Sequence, residues 1–414
     1  MAGVKSKFVR TRSGRFLFVA LLFYVSCGMR SFGEAVSGEE TSGASKTPAL
    51  RRTGDFLAIE LHALDTKAAP LEMDDGVFRV GIQPSIGDMN GFDLKRGRFH
   101  VTDSQLAELA KWTQLRRLDV FGCDATDAGM AHLAELVQLE ELRVPGNDKI
   151  TDAGVASLKD LKKLKMLDLY RTQTTDAGLA KLEALHDLED LQLGETKITD
   201  ASVGFICGQM NLSELDLKHT QITDDGFAQI GRLKKLRWLC LNNTKITDVG
   251  FGRLSELVNL ESLFLESTEV TDDGLSHLAG MLKLKNLYLN RSKITDGGLE
   301  KLAVLKNLES LNLESTEVTG DGFSHLTAML KLKNLYLNNS KITDGGLEKL
   351  ALLKNLTALY LDNTAVTDGG LKALGALHQL KDLELLETAT TDAAYAELRH
   401  AVPGLSVRGT TRRR

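Results

Sequence analysis

The stretch Leu164–Gly178, LKMLDLYRTQTTDAG, decides the fold of this chain, because close copies of it recur from about residue 100 to about residue 400. Leu167 and Leu169 lie two residues apart, which is the spacing of a strand with one buried face. The TDAG that ends the stretch marks a turn, and Leu179 and Leu182 follow at helical spacing. One such unit cannot bury its own apolar face, so the sequence predicts a stack of copies.

Threonines at a fixed interval mark the copies. The interval is 24 residues throughout, except for 25 between Thr126 and Thr151. Aspartate follows each threonine except Thr319, where Gly320 replaces it. The marks are Thr102, Thr126, Thr151, Thr175, Thr199, Thr223, Thr247, Thr271, Thr295, Thr319, Thr343, Thr367 and Thr391.

The full pattern, Leu-x-x-Leu-x-Leu-x-x-Thr-x-Ile-Thr-Asp-x-Gly-Leu, resembles the leucine-rich repeat family, and in particular its cysteine-containing subclass with threonine in place of cysteine. The resemblance implies an α/β fold: a right-handed horseshoe solenoid with a concave parallel sheet and short convex helices. We expect the buried hydroxyls at the cysteine position to bond backbone amides and form a ladder between repeats. They belong to Thr172, Thr196, Thr220, Thr244, Thr268, Ser292, Thr316, Ser340, Thr364 and Thr388.

Helix starts and irregular positions also follow from the pattern. Threonine and aspartate before Gly-Leu are typical of a helix N-cap and its positive dipole end. Ser202 interrupts the glycine column, and Gln209 stands where a core leucine is expected. The repeat spanning 199–212 is therefore predicted to be the least regular.

The first residues predict a targeting segment. Basic residues precede an apolar run from Phe16 to Val25, which is typical of a signal peptide covering 1–35 and cut after Ala35. The alternatives are lipidation at Cys27 and an uncleaved anchor, which would tether the protein to a membrane through this segment only. All three place the protein outside the cytoplasm, as a secreted, periplasmic or cell-surface protein.

The rest of the chain divides by composition. Residues 36–53 are rich in small polar residues and predict a flexible linker. Residues 54–100 predict an N-terminal cap or a degenerate first repeat, with a separate small domain as the alternative. Residues 101–390 hold the repeats, and residues 391–414 predict a C-terminal cap followed by a basic tail.

Charge and motifs limit the function. The chain of 414 residues has a net charge of -5, so it lacks the basic excess that a nucleic-acid partner requires. It contains no zinc-protease, phosphate-loop or nucleophile-elbow motif and no metal-binding cysteine pair. We therefore predict no catalytic residue, no cofactor and no metal site, and a protein that is not an enzyme.

The candidate binding face comes from the residues on either side of the strand leucines, which should point onto the concave face. Between Trp238 and Tyr360 this face is rich in aromatic rings and amides, the chemistry of protein and carbohydrate recognition. Cross-strand pairing that only stabilises the sheet is the alternative. The candidate residues are Trp238, Asn242, Phe264, Tyr288, Asn290, Asn312, Tyr336, Asn338 and Tyr360.

The leading hypothesis is an exported, non-enzymatic recognition scaffold that binds a protein or glycan on the concave face. The alternative is a substrate-recognition subunit of a ubiquitin-ligase-like complex, since the cysteine-containing subclass is often joined to an F-box. No F-box helix trio is evident between Phe56 and Leu94. The sequence leaves the identity of the partner and the oligomeric state open.

Overall fold

The computed structural model describes residues 102–120 and 124–409, together with three short N-terminal strands. These are β1 (Arg51–Thr53), β2 (Phe56–Ala58) and β3 (Phe78–Arg79). β1 pairs antiparallel with β2, which pairs in parallel with β3. β1 therefore occupies the last three residues of the predicted linker.

Several predictions concern residues outside the described part of the chain. They are the signal peptide (1–35), lipidation at Cys27, most of the linker, most of the cap region 54–100 with the F-box alternative, and the basic tail after residue 409. Among the described residues, no helix combines the length and the apolar character needed to cross a bilayer.

A single parallel sheet carries the repeats, and its described strands follow each other in chain order, with each strand bonded to the next. β4 forms one edge of the sheet and β16 the other, which confirms the predicted α/β solenoid with a parallel sheet. The strands are β4 (Arg117–Asp119), β5 (Glu141–Arg143), β6 (Met166–Asp168), β7 (Asp190–Gln192), β8 (Glu214–Asp216), β9 (Trp238–Cys240), β10 (Ser262–Phe264), β11 (Asn286–Tyr288), β12 (Ser310–Asn312), β13 (Asn334–Tyr336), β14 (Ala358–Tyr360), β15 (Asp382–Leu385) and β16 (Ser406–Gly409).

Short helices connect the strands, and most begin at the aspartate that follows the marker threonine. The threonine is the N-cap, as predicted: Thr151 Oγ1 accepts a hydrogen bond from the backbone N–H of Ala153 at 3.3 Å. The α-helices are α1 (Asp103–Leu109), α2 (Asp127–Leu133), α3 (Asp152–Ala156), α4 (Asp176–Leu179), α5 (Val203–Gly208), α6 (Asp224–Ile230), α7 (Asp248–Arg253), α8 (Asp296–Leu302), α9 (Asp344–Leu350), α10 (Asp368–Leu374) and α11 (Asp392–Ala401). The 3-10 helices are Ala180–Leu182, Asp200–Ser202, Gly274–Gly280 and Asp321–Ala328.

One continuous apolar core runs between the sheet and the helices. Leu167 and Leu169 from the strand side and Leu179 and Leu182 from the helix side are completely buried. Every repeat contributes the same four positions, so each interior is completed by its neighbours. At the C-terminal end, α11 and β16 cover the last repeat, with Tyr395 packed into the core.

The threonine and serine hydroxyls behave differently from the prediction. Each donates to the carbonyl three residues earlier in its own repeat, as Thr172 Oγ1 does to Leu169 O at 2.8 Å. The ladder predicted from these hydroxyls is therefore wrong. The physical reason is the tight turn after each strand, which brings the repeat's own carbonyl closest. At Asn147, by contrast, Nδ2 reaches Val120 O of the preceding repeat at 3.1 Å.

The tight turn has a recurrent backbone signature. The residue just before each of these hydroxyl positions has a φ near +55°, although none of them is glycine. Asparagine, which tolerates this left-handed conformation, fills the position in three repeats. The residues are Arg171, Glu195, His219, Asn243, Ser267, Arg291, Ser315, Asn339, Asn363 and Glu387.

The ladder between repeats is made by the aspartates instead. The Asp224 carboxylate accepts from Thr247 N at 2.8 Å and from Thr247 Oγ1 at 2.6 Å, in the next repeat. We call this arrangement the Asp–Thr clasp. It joins the pairs Asp103–Thr126, Asp127–Thr151, Asp152–Thr175, Asp176–Thr199, Asp200–Thr223, Asp224–Thr247, Asp248–Thr271, Asp272–Thr295, Asp296–Thr319, Asp344–Thr367 and Asp368–Thr391.

The clasp explains the glycine column. A Cβ on Gly250 would lie within 3.0 Å of Asp224 Oδ1, so a larger residue would displace the carboxylate. Ser202 fills a glycine position by donating its hydroxyl to the Asp176 carboxylate. At Gly320 the aspartate is missing, and the backbone of Gly346 from the next repeat packs against Gly320 instead.

Candidate binding face

The face of the sheet that the helices leave uncovered, here called the open face, corresponds to the predicted concave face. Parallel pairing keeps equivalent residues side by side: Phe264 pairs with Tyr288, and Tyr336 with Tyr360. The central leucine of each strand points into the core, so the residues on either side of it point outward. Trp238, at the start of β9, lies one strand away from Phe264.

Five aromatic side chains form two stacked groups on the open face. In the first, the ring centroids of Trp238 and Phe264 are 5.1 Å apart, and those of Phe264 and Tyr288 are 4.6 Å apart with an interplanar angle of 11°. In the second, the Tyr336 and Tyr360 centroids are 4.5 Å apart at 5°. All five rings are half-buried. We call this set the aromatic stripe.

Asn312 divides the stripe, because it stands on β12 between Tyr288 and Tyr336. It is nearly buried, and its Oδ1 accepts from Glu314 N at 2.9 Å. The two aromatic groups are thus separated by one strand that carries no ring. This leaves the facing sides of Tyr288 and Tyr336 free of a stacked neighbour within the described sheet.

The tyrosine hydroxyls are protonated under ordinary conditions. Burial raises the pKa of Tyr288 to about 12 and that of Tyr360 to about 12. Burial also raises the pKa of Tyr336. Each hydroxyl therefore keeps its proton at neutral pH, and a protonated hydroxyl can donate as well as accept a hydrogen bond.

The asparagines require a correction, because the sequence suggested that their amides would face a ligand. Asn242, Asn290, Asn312 and Asn338 are all at most 9% exposed. Asn242 Oδ1 accepts from Glu266 N at 2.8 Å, and Asn338 makes the equivalent bond to the next repeat. The side-chain oxygens of Asn242, Asn312 and Asn338 satisfy backbone N–H groups where the chain leaves the strand, so these residues stabilise the sheet.

The residues two positions after the ends of β10, β12 and β14 lie beside the stripe and are acidic. Glu266, Glu314 and Asp362 occupy these positions in alternate repeats and are half-buried. The Arg291 guanidinium lies 3.4 Å from the Glu266 carboxylate. Burial raises the pKa of Glu314 and of Asp362 above their ordinary values. The aromatic stripe therefore has a border of acidic side chains, and Arg291 offsets part of its charge.

The other half of the open face holds a buried charged cluster that sequence reasoning did not single out. Burial raises the pKa of Asp168 and of Asp216 to about 7. Asp216 Oδ2 has no hydrogen-bond partner among the described residues. The Lys218 ammonium lies 4.3 Å from the ring centroid of Tyr170, whose hydroxyl donates to Glu195. The signal available in the sequence was the aspartate that recurs at the last position of β6 and β8.

Within the described ranges, no group of three or more histidine, cysteine or acidic side chains is placed to hold a metal ion. His277 lies on a helical segment, with its ring edge-on to Phe251 at 6.5 Å between centroids.

Comparisons with known proteins agree with the repeat architecture. Residues 149–402 match the family described as leucine-rich repeat region. An internalin from Listeria monocytogenes shares 26% identity over 66% of this chain and 82% of its own, with a TM-score of 0.54. A leucine-rich repeat protein from Leptospira interrogans shares 17% identity over 72% and 91%, with a TM-score of 0.41. No protein with a curated description matches. The family match and the internalin match are consistent with a protein-recognition scaffold.

Proposed function

Because the chain belongs to the leucine-rich repeat family, we propose that it is an exported, non-enzymatic scaffold that binds a partner through the aromatic stripe. The partner is a protein that presents apolar groups beside basic or amide side chains. A glycan is the other ligand class that aromatic rings with hydroxyl groups accommodate, and the experiment below distinguishes the two.

The aromatic stripe carries the proposal. Aromatic residues are enriched at the centres of protein interfaces, where they account for much of the binding energy. Stacking at 4.5–4.6 Å already holds Phe264, Tyr288, Tyr336 and Tyr360 in fixed orientations. Binding would therefore require little further loss of side-chain freedom.

The acidic border supports the choice of partner. Glu266, Glu314 and Asp362 run along the stripe, so their field favours a positively charged ligand segment at its edge. Since the asparagine amides are used inside the sheet, hydrogen bonds to the partner fall to the tyrosine hydroxyls and these carboxylates. A neutral or acidic ligand surface would bind this face less favourably.

Site-specific photocrosslinking tests the location and the ligand class together. A benzophenone amino acid replaces Tyr288 or Tyr336 in separate variants, and Tyr170 in a control on the same face outside the stripe. We expect protease-sensitive adducts from positions 288 and 336 and none from position 170. Adducts that resist protease but yield to glycosidases would assign a glycan. Equal adducts at all three positions would contradict binding at the stripe.

Export rests on the basic and apolar N-terminal segment. We expect the mature protein, isolated from the producing cell, to begin at Val36 after cleavage behind Ala35. Mass spectrometry of the N-terminal peptide measures this. A cytoplasmic protein that retains residues 1–35 would contradict the export proposal but leave the binding proposal standing.

A further inference from the structure

Four consecutive repeats expose an aliphatic side chain beside a lysine at the edge of the sheet where strands β11–β14 begin. The exposed fractions of the four aliphatic side chains run from 42% for Val304 to 70% for Leu330. The lysines follow within two residues and are exposed as well. The set is Leu282, Lys283, Val304, Lys306, Leu330, Lys331, Leu352 and Lys354, here called the lysine–leucine flank.

Hydrogen bonds hold the turns that carry this flank. Asn307 Nδ2 donates to Leu282 O at 2.8 Å, and Asn355 Nδ2 donates to Leu330 O at 2.9 Å. Each asparagine belongs to the repeat that follows the leucine it holds. The backbone under Leu282 and Leu330 is thus bonded to the following repeat, which holds these two turns in place.

Within the described residues, no ion pair joins a carboxylate to a lysine of the flank, and two of these lysines are bonded to amides instead. Lys283 Nζ donates to Asn259 Oδ1 at 2.7 Å, and Lys331 Nζ donates to Asn307 Oδ1 at 2.7 Å. Both acceptors are uncharged amides. At the opposite edge of the same repeats, by contrast, Lys293 is paired with Glu269 and Lys341 with Glu317. The flank therefore carries a local positive field although the whole chain is at -5.

We propose that the lysine–leucine flank binds an anionic lipid surface. Protein interfaces are depleted of lysine and enriched in aromatic residues, yet the turns 281–285, 303–307, 329–333 and 351–355 contain no aromatic residue. Lysines that surround exposed aliphatic tips are the composition of segments that lie in a membrane interface. Adjacent strands are about 4.8 Å apart, so the tips form a row that suits an extended surface.

The two kinds of contact have separate roles. The ammonium groups attract anionic headgroups over roughly one Debye length, about 10 Å at 0.1 M salt. Leu282, Val304, Leu330 and Leu352 then enter the interface between headgroups and acyl chains. The inference goes beyond the proposed function and does not depend on it, because the flank and the aromatic stripe share no residue.

Vesicle co-sedimentation of the full-length chain tests the proposal. The probes are phosphatidylcholine vesicles with and without 25% phosphatidylglycerol, at low and high salt. The test variant is K283E/K331E. Its matched control is K293E/K341E, which makes the same charge change in the same two repeats at the opposite edge. A third variant, L282S/L330S, removes two tips and keeps every charge.

We expect salt-sensitive binding to the anionic vesicles only. Reversing two charges should lower the partition coefficient at least about tenfold, because each lysine near an anionic surface contributes about fivefold to it. L282S/L330S should lower it severalfold, and the control should stay within about twofold. Circular dichroism confirms that each variant folds.

Several outcomes would overturn the proposal. They are no binding to anionic vesicles, equal loss in K293E/K341E, or full binding by K283E/K331E, which would assign any attachment to other parts of the chain. Binding that needs the lysines but not Leu282 and Leu330 would reveal simple electrostatic adsorption and would also overturn it. If the flank binds an acidic protein instead of lipid, the protein will not bind anionic vesicles.

Discussion

At the scale of single residues, the aspartate after each marker threonine is the most informative position. It accepts two hydrogen bonds from the next repeat and touches that repeat's glycine, as Asp224 does with Thr247 and Gly250. The sequence shows the same three residue types in most repeats. It cannot show that the contact joins neighbouring repeats, because the pattern alone fits a helix cap equally well.

Removing one clasp should destabilise the protein. Asp224→Ala deletes the acceptor of bonds at 2.8 Å and 2.6 Å, and bonds to charged groups contribute about 1.5–3 kcal/mol each. We expect the free energy of unfolding to fall by about 2–3 kcal/mol in urea titrations, since water partly replaces the lost acceptor. Asp225→Ala, at the exposed neighbouring acid, should change it by less than about 0.5 kcal/mol.

Restoring the missing aspartate should not repair the interrupted clasp. Gly320 has a φ of 101°, and a Cβ there would lie within 3.0 Å of Gly346 Cα. Gly320→Asp should therefore lower the free energy of unfolding by about 1–3 kcal/mol, through backbone strain and steric overlap. A thermal unfolding curve measures this. A rise in melting temperature would contradict the packing described at this junction.

The buried carboxylates should make stability depend on pH. Burial raises the pKa of Asp216 from 3.8 to about 7, so between about pH 4 and pH 7 the folded state binds more protons than the unfolded state. This contribution is complete below about pH 4 and is lost as the pH rises through about 7. It amounts to at most about 4 kcal/mol per group.

We therefore expect the melting temperature to fall between pH 5 and pH 8, and Asp216→Asn to reduce that fall. Asp168→Asn should act in the same direction, because burial gives Asp168 the same raised pKa of about 7. Scanning calorimetry at several pH values measures both. Asp225→Asn serves as the control, since that carboxylate is exposed. A fall of the same size in Asp216→Asn would contradict the assigned pKa.

At the scale of the elements, the repeat spanning 199–212 buries a polar side chain in the core. It begins with a 3-10 turn, Asp200–Ser202, and continues as α5 (Val203–Gly208). Gln209 then enters the core at 2% exposure, and its Oε1 has no hydrogen-bond partner among the described residues. An unpaired buried amide of this kind costs about 1–3 kcal/mol.

Gln209→Leu should therefore stabilise the protein. Equivalent core positions hold Leu185 and Leu233, so a leucine side chain fits this layer. We expect the free energy of unfolding to rise by about 1–2 kcal/mol, measured by urea titration. Met210→Leu is the control, because Met210 is 55% exposed and its replacement should have little effect. A loss of stability in Gln209→Leu would indicate that the amide is bonded.

The strands and helices were predictable because the residues that specify them recur at a fixed interval. The spacing of Leu167 and Leu169 specifies a strand with one buried face, and the Thr-Asp marks specify where helices begin. Partners across repeats were not predictable in the same way. Whether Asn242 Oδ1 faces a ligand or the Glu266 N–H depends on the distance between adjacent turns. The left-handed conformation at Arg171 depends on the turn and not on the residue type.

At the scale of the whole molecule, the stacked repeats share one core and leave two long surfaces with different chemistry. The open face offers the stacked rings of the aromatic stripe with an acidic border. The edge where β11–β14 begin offers lysines and aliphatic tips. Each surface exists because in-register parallel strands place equivalent residues side by side, so a short sequence motif becomes a long stripe.

The candidate binding face was partly predictable at this scale. The stripe itself follows from register, since Phe264, Tyr288, Tyr336 and Tyr360 occupy one column of the repeat. Its division at Asn312 and its acidic border also follow from the same columns. The burial of Asn242, Asn312 and Asn338 does not, because their side-chain oxygens accept hydrogen bonds from backbone N–H groups.

The affinity of the crosslinked partner, once purified, tests the central claim most directly. Isothermal calorimetry compares the unmodified protein with Y288A/Y336A/Y360A and with Y170A, a tyrosine on the same face outside the stripe. Central aromatic residues contribute about 2 kcal/mol or more each, so the triple variant should bind at least 100-fold more weakly, while Y170A stays within about threefold. Equal affinity in all three proteins, with folding intact, would contradict recognition by the aromatic stripe.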